Sequence, residues 1–181
     1  MNLTSNCNLT ALSGGVSDLS YSSLTDAQLT TLNNAYSQFC DRSACIDLHV
    51  YIAYYNCGST NEDQRNYGTT LVRRGICGQE SGDYCFVRYI RHYRGSSVQD
   101  PFDSCPFNAS KISCSSASST CISDINTFND RMGCCTEPFL GSGVTSCSGV
   151  SVDGPCAGVS SATGLVAPVF VMILSLVGFL V

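Results

Sequence analysis

A chain of 181 residues with nine Lys and Arg against fourteen Asp and Glu carries a formal net charge of −5. That balance offers no overall attraction to nucleic acid or to anionic lipid. Thirteen cysteines exclude a reducing compartment unless the thiols hold metal.

The N-terminal stretch Met1–Gly15 has no basic start and no apolar run of signal-peptide length. Because the rest of the chain reads as secreted, the start is read as truncated or mis-assigned. Residues 1–22 are expected to be a flexible leader tied down at Cys7. Its sequons, Asn2-Leu3-Thr4 and Asn8-Leu9-Thr10, join a third at Asn108-Ala109-Ser110. All three asparagines are candidate glycan acceptors in a secretory protein.

A disulfide-rich helical domain is expected over residues 23–140. Thr25-Asp26-Ala27-Gln28 has the form of a capping box, with Leu24 and Leu29 at the staple positions. Leu29, Leu32, Tyr36 and Phe39 then recur at helical spacing, which predicts a helix to about Phe39. A second helix is predicted over Ser43–Asn56, with Cys45, Leu48, Ile52 and Tyr55 on one face and Gly58 past its end. A weaker third helix spans Asn61–Arg74 and stops at Gly75. Cys77 to Cys85 encloses a Gly-containing loop. Tyr84–Arg94 reads as a short amphipathic helix, with a strand as the alternative, and sets Phe86, Tyr89, Ile90 and Tyr93 mostly opposite Arg88, Arg91 and Arg94. Gly95 to Asn108 reads as a loop around Pro101 and Pro106.

Within the unit Cys114–Cys135, Cys121, Ile125, Phe128, Met132 and Cys135 recur at spacings of 4, 3, 4 and 3, which places a helix face with cysteines at both ends and Gly133 near its C-terminus. Beyond Phe139 the Gly/Ser-rich segment 141–164 reads as a stalk. The fold class is therefore mainly α: a small helical domain with irregular loops, followed by a C-terminal apolar helix.

Short helices bury too little apolar surface to offset chain entropy comfortably, and disulfides fill that gap. Bonded cysteines are expected at Cys7, Cys40, Cys45, Cys57, Cys77, Cys85, Cys105, Cys114, Cys121, Cys134, Cys135 and Cys147. The neighbours Cys134 and Cys135 are expected to reach two different partners, since adjacent cysteines seldom bond each other without strain. Connectivity is not legible in the sequence.

Leu165–Val181 is a run of 17 residues without a charge. Extended back to Ala162 it approaches the roughly 20 residues that span a bilayer. Small residues, a polar spacer over Pro155–Gly164 and an apolar tail form the pattern of GPI attachment. Asp153 or Gly154 is the expected attachment residue, with Gly158 and Ser151 as alternatives. Cleavage there removes Cys156 and leaves twelve cysteines, enough for six bridges. A spanning helix without GPI is the competing reading. Either way the membrane is a partner through the tail, and the outer face of the plasma membrane is the expected location.

The capped Leu-Thr-Asp-Ala-Gln helix ending in Cys40, the Gly-Ile-Cys-Gly segment at 75–78, Asp-Tyr-Cys at 83–85 and Met-Gly-Cys-Cys at 132–135 resemble uncharacterised cysteine-rich surface proteins of invertebrate animals. The similarity covers residues 24–140. It implies an extracellular helical module and brings no functional residues.

Zinc is the alternative account of the cysteines. Cys40-x4-Cys45 is a half-site with no clear second half, although His49 stands one helical turn beyond Cys45. A thiol enzyme would need a reactive thiolate beside one of the two histidines, His49 and His92, and no catalytic motif accompanies either. No catalytic residue, cofactor or metal is therefore assigned. Arg73, Arg74, Arg88, Arg91 and Arg94 form a basic cluster in an acidic chain, a candidate patch for an acidic glycan or the acidic face of a partner protein. Tyr51, Tyr54, Tyr55, Tyr89 and Tyr93 serve either the core or a contact surface. The expected function is a non-enzymatic cell-surface protein with a binding, adhesion or coat role. The alternatives are a single-pass protein with the same ectodomain, a secreted enzyme or a zinc module.

Overall fold

The computed structural model describes residues 7–56, 62–94, 101–108 and 111–156. The predicted apolar helix and the acceptor Asn2 lie outside the described residues. The fold is mainly helical, as expected.

Helix α1 (Leu9–Leu12) is capped by Asn8, whose Oδ1 accepts from the N–H groups of Thr10 and Ala11. Helix α2 (Asp26–Cys40) begins at the predicted capping box: the Thr25 Oγ1 accepts from Gln28 N, and Gln28 Oε1 accepts from Thr25 N at 2.9 Å. Its staple residues Leu24 and Leu29 are both buried in one cluster. Helix α3 spans Ser43–Asn56, and α4 spans Glu62–Thr70. A short hairpin pairs β1 (Gln79–Glu80) with β2 (Asp83–Tyr84). Helix α5 is Cys85–Tyr93, and α6 is the single turn Pro101–Ser104. A second hairpin pairs β3 (Phe107–Asn108) with β4 (Lys111–Ile112). Helix α7 (Ser119–Met132) and α8 (Thr136–Leu140) complete the order.

The core forms around two helix faces. On α7, Cys121, Ile125, Phe128 and Met132 are fully buried, and so is Cys135 just beyond. The 4-3-4-3 spacing thus marks a true internal stripe. On α2, Leu29, Leu32 and Tyr36 pack against Val87 and Ile90 of α5. Between these faces runs an aromatic stack: Phe86 lies parallel to Phe139, Phe139 to Tyr89, and Tyr89 to Tyr93, with centroids 4.9 to 6.4 Å apart. Such offset rings add to the area they bury.

Several expectations need correction. Residues 7–22 of the leader belong to the fold: α1 and two 3₁₀ turns carry Leu9 and Val16 onto the core, and Ser13 is buried. Gly75 does not stop its helix; a π-helical turn carries the backbone through it from Leu71 to Ile76. The Gly-containing loop is a tight hairpin, because Ser81 and Gly82 both take positive φ (54° and 88°), the signature of a type I′ turn. The predicted stalk is part of the domain as far as Cys156, the last described residue. Leu140 and Val144 are fully buried, and Cys147 and Cys156 are nearly so. Gly and Ser richness there reflects a close-packed turn at Ser142–Ser146, not a flexible spacer. On α3 the expected apolar face is buried only at its start: Ile52 and Tyr55 stand exposed.

Candidate functional site

Six disulfides join Cys7 to Cys45, Cys40 to Cys77, Cys85 to Cys135, Cys105 to Cys121, Cys114 to Cys147, and Cys134 to Cys156. Cys134 and Cys135 do reach different partners. Eleven of the twelve expected cysteines are bonded; the twelfth bonded position is Cys156, which was expected to leave with the tail. Cys57 lies outside the described residues and is the one cysteine of the thirteen that these bridges do not use. Cys40 and Cys45, the candidate zinc half-site, bond to two different elements and offer no thiolates.

The bridges fall into two sets. Two interleave within residues 7–77, and four interleave within 85–156. Among the described residues no disulfide joins one half to the other. Polar side chains and the aromatic stack do so instead. Asn33 of α2 holds the first hairpin, its Nδ2 donating to Gly82 O and its Oδ1 accepting from Tyr84 N. The Tyr67 hydroxyl donates to Phe139 O at 2.6 Å, and burial raises its pKa above the ordinary phenol value.

The arginine cluster is committed to this seam and to nearby contacts. Arg73 pairs with Asp47. Arg74 makes two hydrogen bonds to Glu137. Arg88 donates to the carbonyl of Arg131. Arg91 grips Asp83 with a second contact to Asp26, and Arg94 bonds both Asp26 and the carbonyl of Leu24. The five guanidinium groups of the expected ligand patch thus hold carboxylates and carbonyls of the protein itself. The sequence shows the cationic cluster but not the acidic partners brought to it from distant positions.

His92 lies beside these arginines. Burial first, then Arg88 and Arg131, lower its pKa below 6.5. His49 packs edge-on against Phe39 and its Nδ1 lies 3.0 Å from Cys45 O, so it faces the backbone of a disulfide-bonded cysteine. The tyrosines divide: Tyr89 and Tyr93 pack against the core, whereas Tyr51 and Tyr55 are more than half exposed on α3. Asn8 is exposed, and its capping oxygen leaves the amide nitrogen available for a glycan. Asn108 contributes backbone to β3.

Cavities occur among the described residues. One, of about 590 Å³, is lined by Ser113, Ser115, Ser142, Ser146 and Ser148 beside Cys114. Another, of about 390 Å³, lies between α1 and α3 against Leu48, His49 and Ile52. Neither gathers an acid–base pair. The densest chemistry is sulfur: Cys156 Sγ lies 3.6 Å from Cys85 Sγ and 3.8 Å from Cys135 Sγ, so two disulfides touch in the interior. Sequence reasoning missed this cluster because it placed Cys156 outside the domain.

No family model, curated protein or solved structure matches this chain.

Proposed function

We propose that this chain is a non-enzymatic ectodomain held at the outer face of the plasma membrane by its apolar segment, with a binding, adhesion or coat role. Six disulfides belong to an oxidising, extracytoplasmic space, since reducing compartments keep thiols unpaired. The observation that carries the tether is the Cys134–Cys156 bridge. It extends the domain to Cys156, with eight residues between it and the uncharged run that starts at Leu165. A glycan on Asn8 would fit an exposed position at the opposite end of the chain from the tether.

The bridge bears on the lipid. Cleavage at Asp153 or Gly154 would cut the loop that it closes and leave the tail fragment linked to the body through sulfur alone. GPI attachment in this reading therefore follows Cys156, with Gly158 as the acceptor. The spacer that remains before Leu165 is then shorter than the 8 to 12 residues typical of such signals. That shortness favours a second reading, in which residues 162–181 stay in place as a spanning helix. Phosphatidylinositol-specific phospholipase C on intact cells tests both. Release into the medium supports a GPI tether, retention until detergent is added supports the helix, and recovery in the medium without either treatment would overturn membrane anchorage.

A further inference from the structure

The two touching disulfides differ in access. Cys134 and Cys156 keep 6 % and 7 % of their surface exposed, whereas Cys85 and Cys135 keep none. The outer Cys134–Cys156 bridge is therefore nearer the solvent than the inner Cys85–Cys135 bridge and is the first of the two open to an external thiol. Cys156 Sγ nevertheless lies at contact distance from both inner sulfurs.

We infer that Cys156 is an internal exchange nucleophile, and that opening the outer bridge transmits reduction to the inner one. A small thiol attacks Cys134, forming a mixed disulfide while Cys156 leaves as a thiolate. Thiolates are the nucleophiles of disulfide exchange, and proximity removes the encounter cost. The Cys156 thiolate then attacks the nearer inner sulfur, Cys85. A Cys85–Cys156 bond forms, the Cys85–Cys135 bond breaks, and Cys135 departs with the electron pair and takes a proton. A second thiol resolves the mixed disulfide on Cys134. The sum consumes two thiols, yields their disulfide, and converts two bridges into one bridge and two free thiols at Cys134 and Cys135. The segment leading to the apolar tail is thereby moved from the end of α7 to the start of α5. The cluster makes the C-terminal staple a redox-responsive joint.

The test is a pulse of dithiothreitol on the folded, full-length chain, an acid quench, alkylation, and mapping of linked peptides. The proposal expects a Cys156 peptide joined to Cys85, with Cys134 and Cys135 both alkylated. In the double variant Cys134→Ser/Cys156→Ser it expects the inner bridge to open at least tenfold more slowly than in the parent, with Cys105–Cys121 as internal clock. Simple loosening of the fold predicts the reverse, faster opening in the variant. An alkylated Cys156 beside an intact Cys85–Cys135 bridge in the parent, or equal or faster inner-bridge loss in the variant, overturns the proposal. If the variant does not fold, the parent's peptide map alone decides between the two outcomes.

Discussion

Arg74 reaches from the π-helical turn after α4 to Glu137 at the start of α8, and its two N–H donors meet the two carboxylate oxygens at 3.0 and 2.6 Å. The pair spans the two halves of the molecule that disulfides leave unjoined. Both side chains are about a quarter exposed, which limits screening by water. A bidentate Arg–carboxylate contact is among the stronger polar interactions. Glu137→Gln should cost about 1 to 2 kcal/mol in denaturant unfolding. The same variant should leave all six bridges formed, because its partners lie in different disulfide sets. An unchanged midpoint would show that the seam does not depend on this pair.

Asn33 supplies a second tie across the same seam. It satisfies a backbone carbonyl and a backbone N–H of the first hairpin. Asn33→Ala leaves both groups to find water, and should destabilise the chain by about 1 to 2 kcal/mol. Hydrogen exchange at Tyr84 N–H offers a local reading. Faster exchange there, with α7 amides still protected, is the expected pattern.

The sequence made the helix starts and the α7 face legible because those depend on local chemistry. Thr25 and Gln28 are three residues apart, and Cys121 to Cys135 repeat with the helical period. What stayed hidden depends on distance along the chain. Arg74 and Glu137 are 63 positions apart, and Arg94 meets Asp26 across 68, so a basic cluster looked like a free surface. The segment after Phe139 misled for a different reason. Gly and Ser serve tight turns as well as flexible linkers, and only the buried Val144 and bonded Cys147 and Cys156 distinguish the two. Composition carries no sign of that difference.

Gly133 ends α7 with φ of 58°, and a Cβ there would meet the Glu80 carboxylate at 2.7 Å. That carboxylate accepts the N–H of Cys134, so it is held in place. Gly133→Ala therefore combines left-handed backbone strain with a clash beside the touching disulfides. A loss of about 2 kcal/mol is expected, with slower formation of the Cys134–Cys156 bridge during refolding. Thermal unfolding and a time course of thiol trapping would show both effects.

His92 makes stability depend on pH. Its folded pKa lies below the unfolded 6.5, so the unfolded chain binds the proton more readily. This contribution is complete above 6.5 and is lost as pH falls through that value toward the folded pKa. His92→Gln should flatten the unfolding midpoint between pH 7 and pH 5 relative to the parent. A parent midpoint that rises with acidification over that window would contradict the assignment, provided that carboxylate effects common to both chains are subtracted.

Everything in the architecture hangs on sulfur pairing, since two interleaved sets of bridges close the halves. In the chain-entropy model each loop, of 16 to 50 residues, contributes about 3 to 4 kcal/mol. The decisive measurement is non-reducing peptide mapping of the oxidised chain by mass spectrometry. The account predicts the six stated pairs, Cys134 joined to Cys156 among them, and Cys57 in none of them. Cys156 recovered as a free thiol, or Cys134 joined to any other cysteine in unexposed, non-reduced protein, would contradict it.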